Sequence, residues 1–72
     1  TALVADDNGM SFYRHLFVTA REYLEPGGQL LVELGFDQAE SVLQLALAAN
    51  WHAPVFYKDM AGHDRILKVR NI

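Results

Sequence analysis

Apolar positions recur along this chain with two different periods, and each change of period marks an element. Tyr13, Leu16, Phe17, Ala20 and Leu24 follow the spacing of one helix face. Arg14, Arg21, Glu22 and Glu25 mostly fall off that face. The helix must stop at Glu25-Pro26-Gly27-Gly28, because proline brings no N–H to continue it and glycine admits the positive φ of a sharp turn. Ahead of it lie a short apolar stretch, Thr1 to Ala5, and a turn-forming cluster, Asp6-Asp7-Asn8-Gly9, whose side chains suit helix capping.

The second half changes rhythm. Within Gln29–Leu34, residues Leu30, Leu31, Val32 and Leu34 make a near-continuous apolar run. That is the signature of a strand covered on both faces, as in parallel α/β sheets. Gly35 ends it. Asp37-Gln38-Ala39-Glu40 has the form of a capping box, with Asp37 as N-cap and Glu40 three residues on. The helix that follows carries Ala39, Val42, Leu43, Ala46 and Ala49/Asn50 on one face, widened by Leu45 and Leu47. Pro54 to Lys58 is predicted as a second strand, Asp59 to Asp64 as a loop around Gly62, and Arg65 to Arg70 as a third strand in which Leu67 and Val69 alternate with charged side chains. The predicted order is α-β-α-β-β, an α/β domain. A strand–helix–strand unit crosses over right-handedly and leaves its strands parallel. The short loop before the last strand makes that strand antiparallel to its predecessor. Spacing alone leaves open whether it lies outside or between the parallel pair.

Composition narrows the function classes. The chain has 72 residues, with 51% hydrophobic and 21% charged. This is the balance of a globular domain, small enough that only about 60% of its unfolded surface can be buried. A net charge of −3 with six basic residues argues against a DNA-binding surface, which needs clustered Lys and Arg. Having no cysteine, the chain can form neither a disulfide nor a thiolate site. Its apolar runs are too short to span a bilayer, so no membrane partner is expected. Thr1 opens the chain without a basic leader region, as expected of a piece of a longer polypeptide.

Three phrases together resemble one family. Ala2-Leu3-Val4-Ala5 through Asp7-Asn8-Gly9-Met10-Ser11-Phe12-Tyr13-Arg14 comes first. Tyr23-Leu24-Glu25-Pro26-Gly27-Gly28 with Leu31-Val32-Glu33-Leu34-Gly35-Phe36-Asp37-Gln38 follows. Lys58-Asp59-Met60-Ala61-Gly62-His63-Asp64-Arg65 is the third. In this order and spacing they are similar to the carboxyl-terminal third of the HemK/PrmC-like protein-(glutamine-N5) methyltransferases. The resemblance implies a class I, Rossmann-like methyltransferase fold, of which residues 1–72 would be one partial catalytic domain. Its three strands would be the fifth, sixth and seventh of the larger sheet, in the spatial order five, seven, six with the last antiparallel. It implies a cytoplasmic enzyme that moves a methyl group from S-adenosylmethionine to a glutamine side chain of a peptide chain release factor. The family's glycine-rich donor turn and its Asn-Pro-Pro-Tyr motif have no counterpart here. No catalytic, cofactor-binding or metal residue therefore carries over, and the chain alone is expected to be inactive and to hold no cofactor. Its strand 29–34 would be left with an open, apolar edge inviting self-association.

Individual residues suggest other chemistry. Glu33, near the end of an apolar strand, stands where α/β sheets place ligands, but a carboxylate there is also expected to pair with a cation or backbone donors. Gln38 is expected to bond locally in the first turn of its helix. Asp6, Asp7 and Asn8 lack the ligand ladder of a calcium loop. His63 with Asp59 and Asp64 hints at a metal, yet a solvated hairpin turn accounts for them, with His15 and His52 elsewhere. Ser11 and Ser41 both fall in helical stretches, so no nucleophile–base pair supports a small hydrolase. Phe12, Tyr13, Phe17, Tyr23, Trp51 and Phe56 are expected to pack rather than stack on bases. The rival reading is an independent small α/β interaction or assembly module, which an encoding gene ending at both boundaries of the chain would favour.

Overall fold

The computed structural model describes residues 9–72. Helix α1 spans Met10–Ala20 and tightens into a 3₁₀ turn at Arg21–Tyr23; strand β1 is Gln29–Glu33, helix α2 Ala39–Ala48, strand β2 His52–Lys58 and strand β3 Asp64–Arg70. The expected α-β-α-β-β order holds. Asp6, Asp7 and Asn8 lie outside the described residues, as does the stretch before them. The N-cap of α1 is Gly9, at φ 84°.

The three strands form one sheet in the order β1-β3-β2. β3 pairs antiparallel with both neighbours, so β1 and β2 run parallel to one another. β1 occupies one edge. Its partners on β3 are Leu30↔Val69, Val32↔Leu67 and Glu33↔Ile66. The Leu34 N–H donates to Arg65 O (2.8 Å) and the Asn71 N–H to Gly28 O (2.7 Å). Residues 28, 30, 32 and 34 therefore direct their backbone groups toward β3, and 29, 31 and 33 toward the edge that no strand among the described residues pairs with.

Both helices lie on one face of this sheet. The core consists of Tyr13 and Phe17 of α1, Val42 and Ala46 of α2, Val32, Leu34, Leu67 and Val69 from the sheet, and Trp51. Leu16, Ala20, Leu24, Leu43, Leu45 and Phe56 pack around it, so the helix faces predicted from spacing are the buried ones. Leu47 is the exception and stays exposed. The burial of β1 also differs from expectation. Val32 and Leu34 are buried whereas Leu31 is 55% exposed, because no described element covers the sheet face opposite the helices. Leu31, Val55, Tyr57 and Ile66 share that face with Glu33 and Lys68.

Three local departures have identifiable causes. The predicted capping box is not formed: the N-cap of α2 is Gln38, and Asp37 sits in the left-handed region at φ 65°. The Gln38 side chain instead reaches back to the turn it closes. β2 begins at His52, two residues earlier than predicted, and its register shifts between His52 and Val55. Ala53 (φ 53°) and Pro54 stand opposite the single residue Val69, a β-bulge on an edge strand that accommodates the missing proline N–H. β3 begins at Asp64, which pairs with Lys58.

At the other end of the sheet, Glu25-Pro26-Gly27-Gly28 forms a type II turn. The Gly28 N–H donates to Glu25 O (2.8 Å), and Gly27, at φ 82°, supplies the positive φ this turn needs after proline.

Candidate functional site

The carboxyl ends of the parallel strands β1 and β2 meet at one end of the sheet, where open α/β sheets place their ligands. The β1–α2 turn and the β2–β3 hairpin flank a cleft of about 440 Å³ there, lined among others by Phe36, Asp37, Glu40, Phe56, His63 and Arg65.

Each wall is built by a side chain acting as a clamp. On one side the Gln38 Oε1 accepts the Gly35 N–H at 2.8 Å and the Tyr13 hydroxyl at 3.2 Å. The single proton of that hydroxyl is shared with Glu33 O, the nearer acceptor at 2.8 Å. Burial, and then the nearby Glu33 carboxylate, push the Tyr13 phenol above its ordinary value of 10.0, so it stays a donor throughout the physiological range. Gly35 is required by this closure, since a Cβ there would lie 2.6 Å from the Gln38 Oε1. Gly35→Ala should expel that amide, break both of its bonds and cost about 1–2 kcal/mol. Urea denaturation measures the loss, and faster exchange of the 35–38 amides would locate it. A variant as stable as the parent, with those amides still protected, would show that the clamp contributes nothing.

On the other side Asp59 organises the hairpin. Its carboxylate accepts the N–H groups of Ala61 (2.9 Å) and His63 (3.0 Å) and the Nε of Arg65 (2.9 Å). The His63 backbone bond first, then the Arg65 side chain, hold it below its ordinary value of 3.8. Lys58 pairs with Asp64 across the hairpin stem at 2.7 Å. Thus Asp59 and Asp64 are occupied by the turn and its ion pairs, and His63 is exposed. Among the described residues no three metal-ligating side chains converge.

Glu33 departs from expectation. Its side chain is exposed and, among the described residues, makes no ion pair or hydrogen bond; only its backbone oxygen is engaged, by Tyr13. The expected carboxylate partner is therefore not found, because Glu33 points to the uncovered sheet face rather than into the core. Gln38 does bond locally, and it also reaches α1. A second network escaped sequence reasoning: Arg21, Trp51 and the penultimate residue Asn71. The Arg21 Nε donates to Asn71 Oδ1 (2.8 Å), its Nη1 to Ala49 O (2.6 Å), and its guanidinium lies 4.8 Å from the Trp51 ring. Helical spacing placed Arg21 off the apolar face, and nothing in the local sequence joins it to a residue fifty positions away.

An apolar groove of about 400 Å³ runs along α1 beside the free edge of β1, lined by Phe12, Leu16, Ala20, Tyr23, Leu24 and Leu30 among others. An open strand edge, a bare sheet face and this groove define the class: an α/β sheet segment whose flanking layers are not supplied by the described residues. Comparison with known proteins is specific. Over 66 residues, 92% of the chain, it is 41% identical to the release factor glutamine methyltransferase of Geobacter sulfurreducens and 38% identical to that of Salmonella typhimurium. It is 36% identical over the same share to a bifunctional methyltransferase of Rickettsia felis. No family model matches. The chain spans only 23%, 24% and 12% of the lengths of these three relatives. Over nine-tenths of its length the chain is thus similar in sequence to about a quarter or less of each of these methyltransferases.

The one glycine pair, Gly27-Gly28, precedes β1 instead of following a strand, and its N–H groups are spent on Asn71 O (3.1 Å) and Glu25 O (2.8 Å). No helix among the described residues is long and apolar enough to cross a membrane.

Proposed function

We propose that this chain is the carboxyl-terminal part of a catalytic domain. In the whole protein, that domain transfers a methyl group from S-adenosylmethionine to the side-chain amide of a glutamine in a peptide chain release factor, in the cytoplasm. The observation that carries this reading is the similarity to release factor glutamine methyltransferases over nine-tenths of the chain. The geometry supports it. β1, β2 and β3 correspond in this reading to strands five, six and seven of the larger sheet. The observed β1-β3-β2 order is then five, seven, six. The free edge of β1 takes the fourth strand, and the groove along α1 takes an apolar element from the same upstream region.

The test has two halves. The full-length protein should methylate a glutamine of a release factor, detected by a mass increase of one methyl group on that residue. The 72-residue chain alone should neither transfer a methyl group nor bind the donor; micromolar binding in isothermal titration would overturn the assignment of the donor pocket to other polypeptide. On its own, the chain is also expected to self-associate through residues 29–34, whose backbone groups at 29, 31 and 33 have no strand partner among the described residues. Light scattering from a clean monomer at high concentration, with those amides exchanging freely, would count against the open edge being adhesive.

A further inference from the structure

The cleft at the carboxyl ends of β1 and β2 has a composition that selects its occupant. Phe36 stands on one wall and is 82% exposed, yet its turn is pinned on both sides: Gly35 by the Gln38 amide, and Asp37 in the left-handed region at φ 65°. Phe56 contributes to the cleft from β2. An isolated exposed phenylalanine is ordinary. One at the lip of a 440 Å³ cleft, at the end of the sheet where open α/β folds place ligands, presents an aromatic face to whatever enters.

The charges decide what that is. Arg65 is paired with Asp59 at 2.9 Å and Lys58 with Asp64 at 2.7 Å, so four of the nearby charges cancel. Asp37 and Glu40 also line the cleft and join no ion pair among the described residues; Glu40 only accepts from Gln44, at 3.2 Å. The rim is therefore net negative. A phosphate or nucleic acid would be repelled. A lysine or arginine side chain fits both features, its methylene stem or guanidinium plane against Phe36 and its charge toward Asp37 and Glu40.

We propose that this cleft is a docking groove for a basic side chain of the protein substrate, with Phe36 as the aromatic anchor and Asp37 and Glu40 as the acidic rim. The inference rests on the methyltransferase reading and specifies a substrate-binding surface within it. Steady-state methyl transfer by the full-length protein separates the two. Wild-type enzyme that methylates no protein glutamine removes the methyltransferase reading. Given wild-type activity, Phe36→Ala should raise KM for the protein substrate about tenfold, with the loss falling on KM rather than kcat. The double variant Asp37→Asn/Glu40→Gln should raise it comparably and flatten its dependence on salt. Unchanged KM in both variants overturns the groove and leaves the enzyme assignment standing.

A binding measurement needs no turnover. An NMR titration of the 72-residue chain with an arginine-containing dodecapeptide should shift Phe36, Asp37, Glu40 and His63, and the same peptide with glutamate in place of arginine should not. Equal shifts from both peptides, or shifts elsewhere only, sink the proposal. Because Phe36 is exposed, its removal does not threaten folding.

Discussion

Trp51→Ala should destroy the cooperative unfolding of this chain or nearly so. Trp51 is 2% exposed and joins three elements. It stands just after Asn50, whose φ of 67° ends α2 in the left-handed conformation. Its indole N–H donates to Phe17 O at 3.0 Å. That carbonyl lies in the last turn of α1, where the helix tightens and carbonyls run short of regular donors. The ring packs at 6.1 Å from Phe17 and carries the Arg21 guanidinium over its face. Truncating a buried tryptophan to alanine costs about 3–5 kcal/mol. A chain of 72 residues has roughly 4–11 kcal/mol in total at typical per-residue stability. The loss belongs at the upper end, since Arg21 also loses its aromatic cover. Urea denaturation followed by circular dichroism should show a midpoint reduced by a third or more, or no transition. Trp51→Phe keeps most of the ring volume and gives up the hydrogen bond, so its cost should be dominated by about 1 kcal/mol for that bond. A Trp51→Ala variant within 1 kcal/mol of the parent would mean that the core tolerates a cavity where the structure shows none.

The contrast between Trp51 and Leu31 shows what the sequence could and could not convey. Trp51, Phe17, Val42 and Leu67 were legible as core because hydrophobic periodicity reports which face of an element is turned inward, and both helices obeyed it. Leu31 was misjudged by the same logic. A continuous apolar run identifies a strand covered on both sides, but the second cover is not supplied by the described residues, so Leu31 is half open to solvent. Asp37 was misjudged for a different reason. A capping-box pattern describes what a helix start can do locally. Here the Gln38 amide oxygen accepts a longer-range bond from the Tyr13 hydroxyl, and the N-cap stands one residue later, at Gln38. The cleft was legible only in parts. Its acidic and aromatic members were visible one by one, but their convergence depends on the hairpin folding back beside the β1–α2 turn, and no local spacing encodes that.

Asn71 is the clearest case of a residue whose weight is invisible in sequence, and its replacement is the second large effect expected. It is the one buried polar side chain among the described residues, at 6% exposure. Its Oδ1 accepts from the Arg21 Nε (2.8 Å) and from the Ile72 N–H (3.0 Å). Its Nδ2 donates to the carbonyls of Leu24 (3.1 Å) and Glu25 (3.3 Å). Its backbone joins the Gly27-Gly28 turn. One side chain therefore ties the end of α1, the turn into β1 and the end of β3. Asn71→Ala leaves the Arg21 Nε and the Leu24 carbonyl without this partner, while the Glu25 carbonyl keeps the Gly28 N–H. At about 1–3 kcal/mol for each buried group left unsatisfied, offset by water reaching some of them, the cost should be about 2–4 kcal/mol. Arg21 bears most of it, because its Nη2 is already buried without a partner among the described residues. Two further variants separate the contributions. Asn71→Asp restores an acceptor for Arg21 but sets a carboxylate against the Leu24 and Glu25 carbonyls, so it should recover only part of the loss. In an Arg21→Met background the cost of Asn71→Ala should shrink by at least 1 kcal/mol, the coupling expected of two groups in one network. Denaturation midpoints of the four proteins close that cycle. Strict additivity would show that Asn71 acts on the Pro-Gly-Gly turn alone and that its bond to Arg21 is incidental to stability.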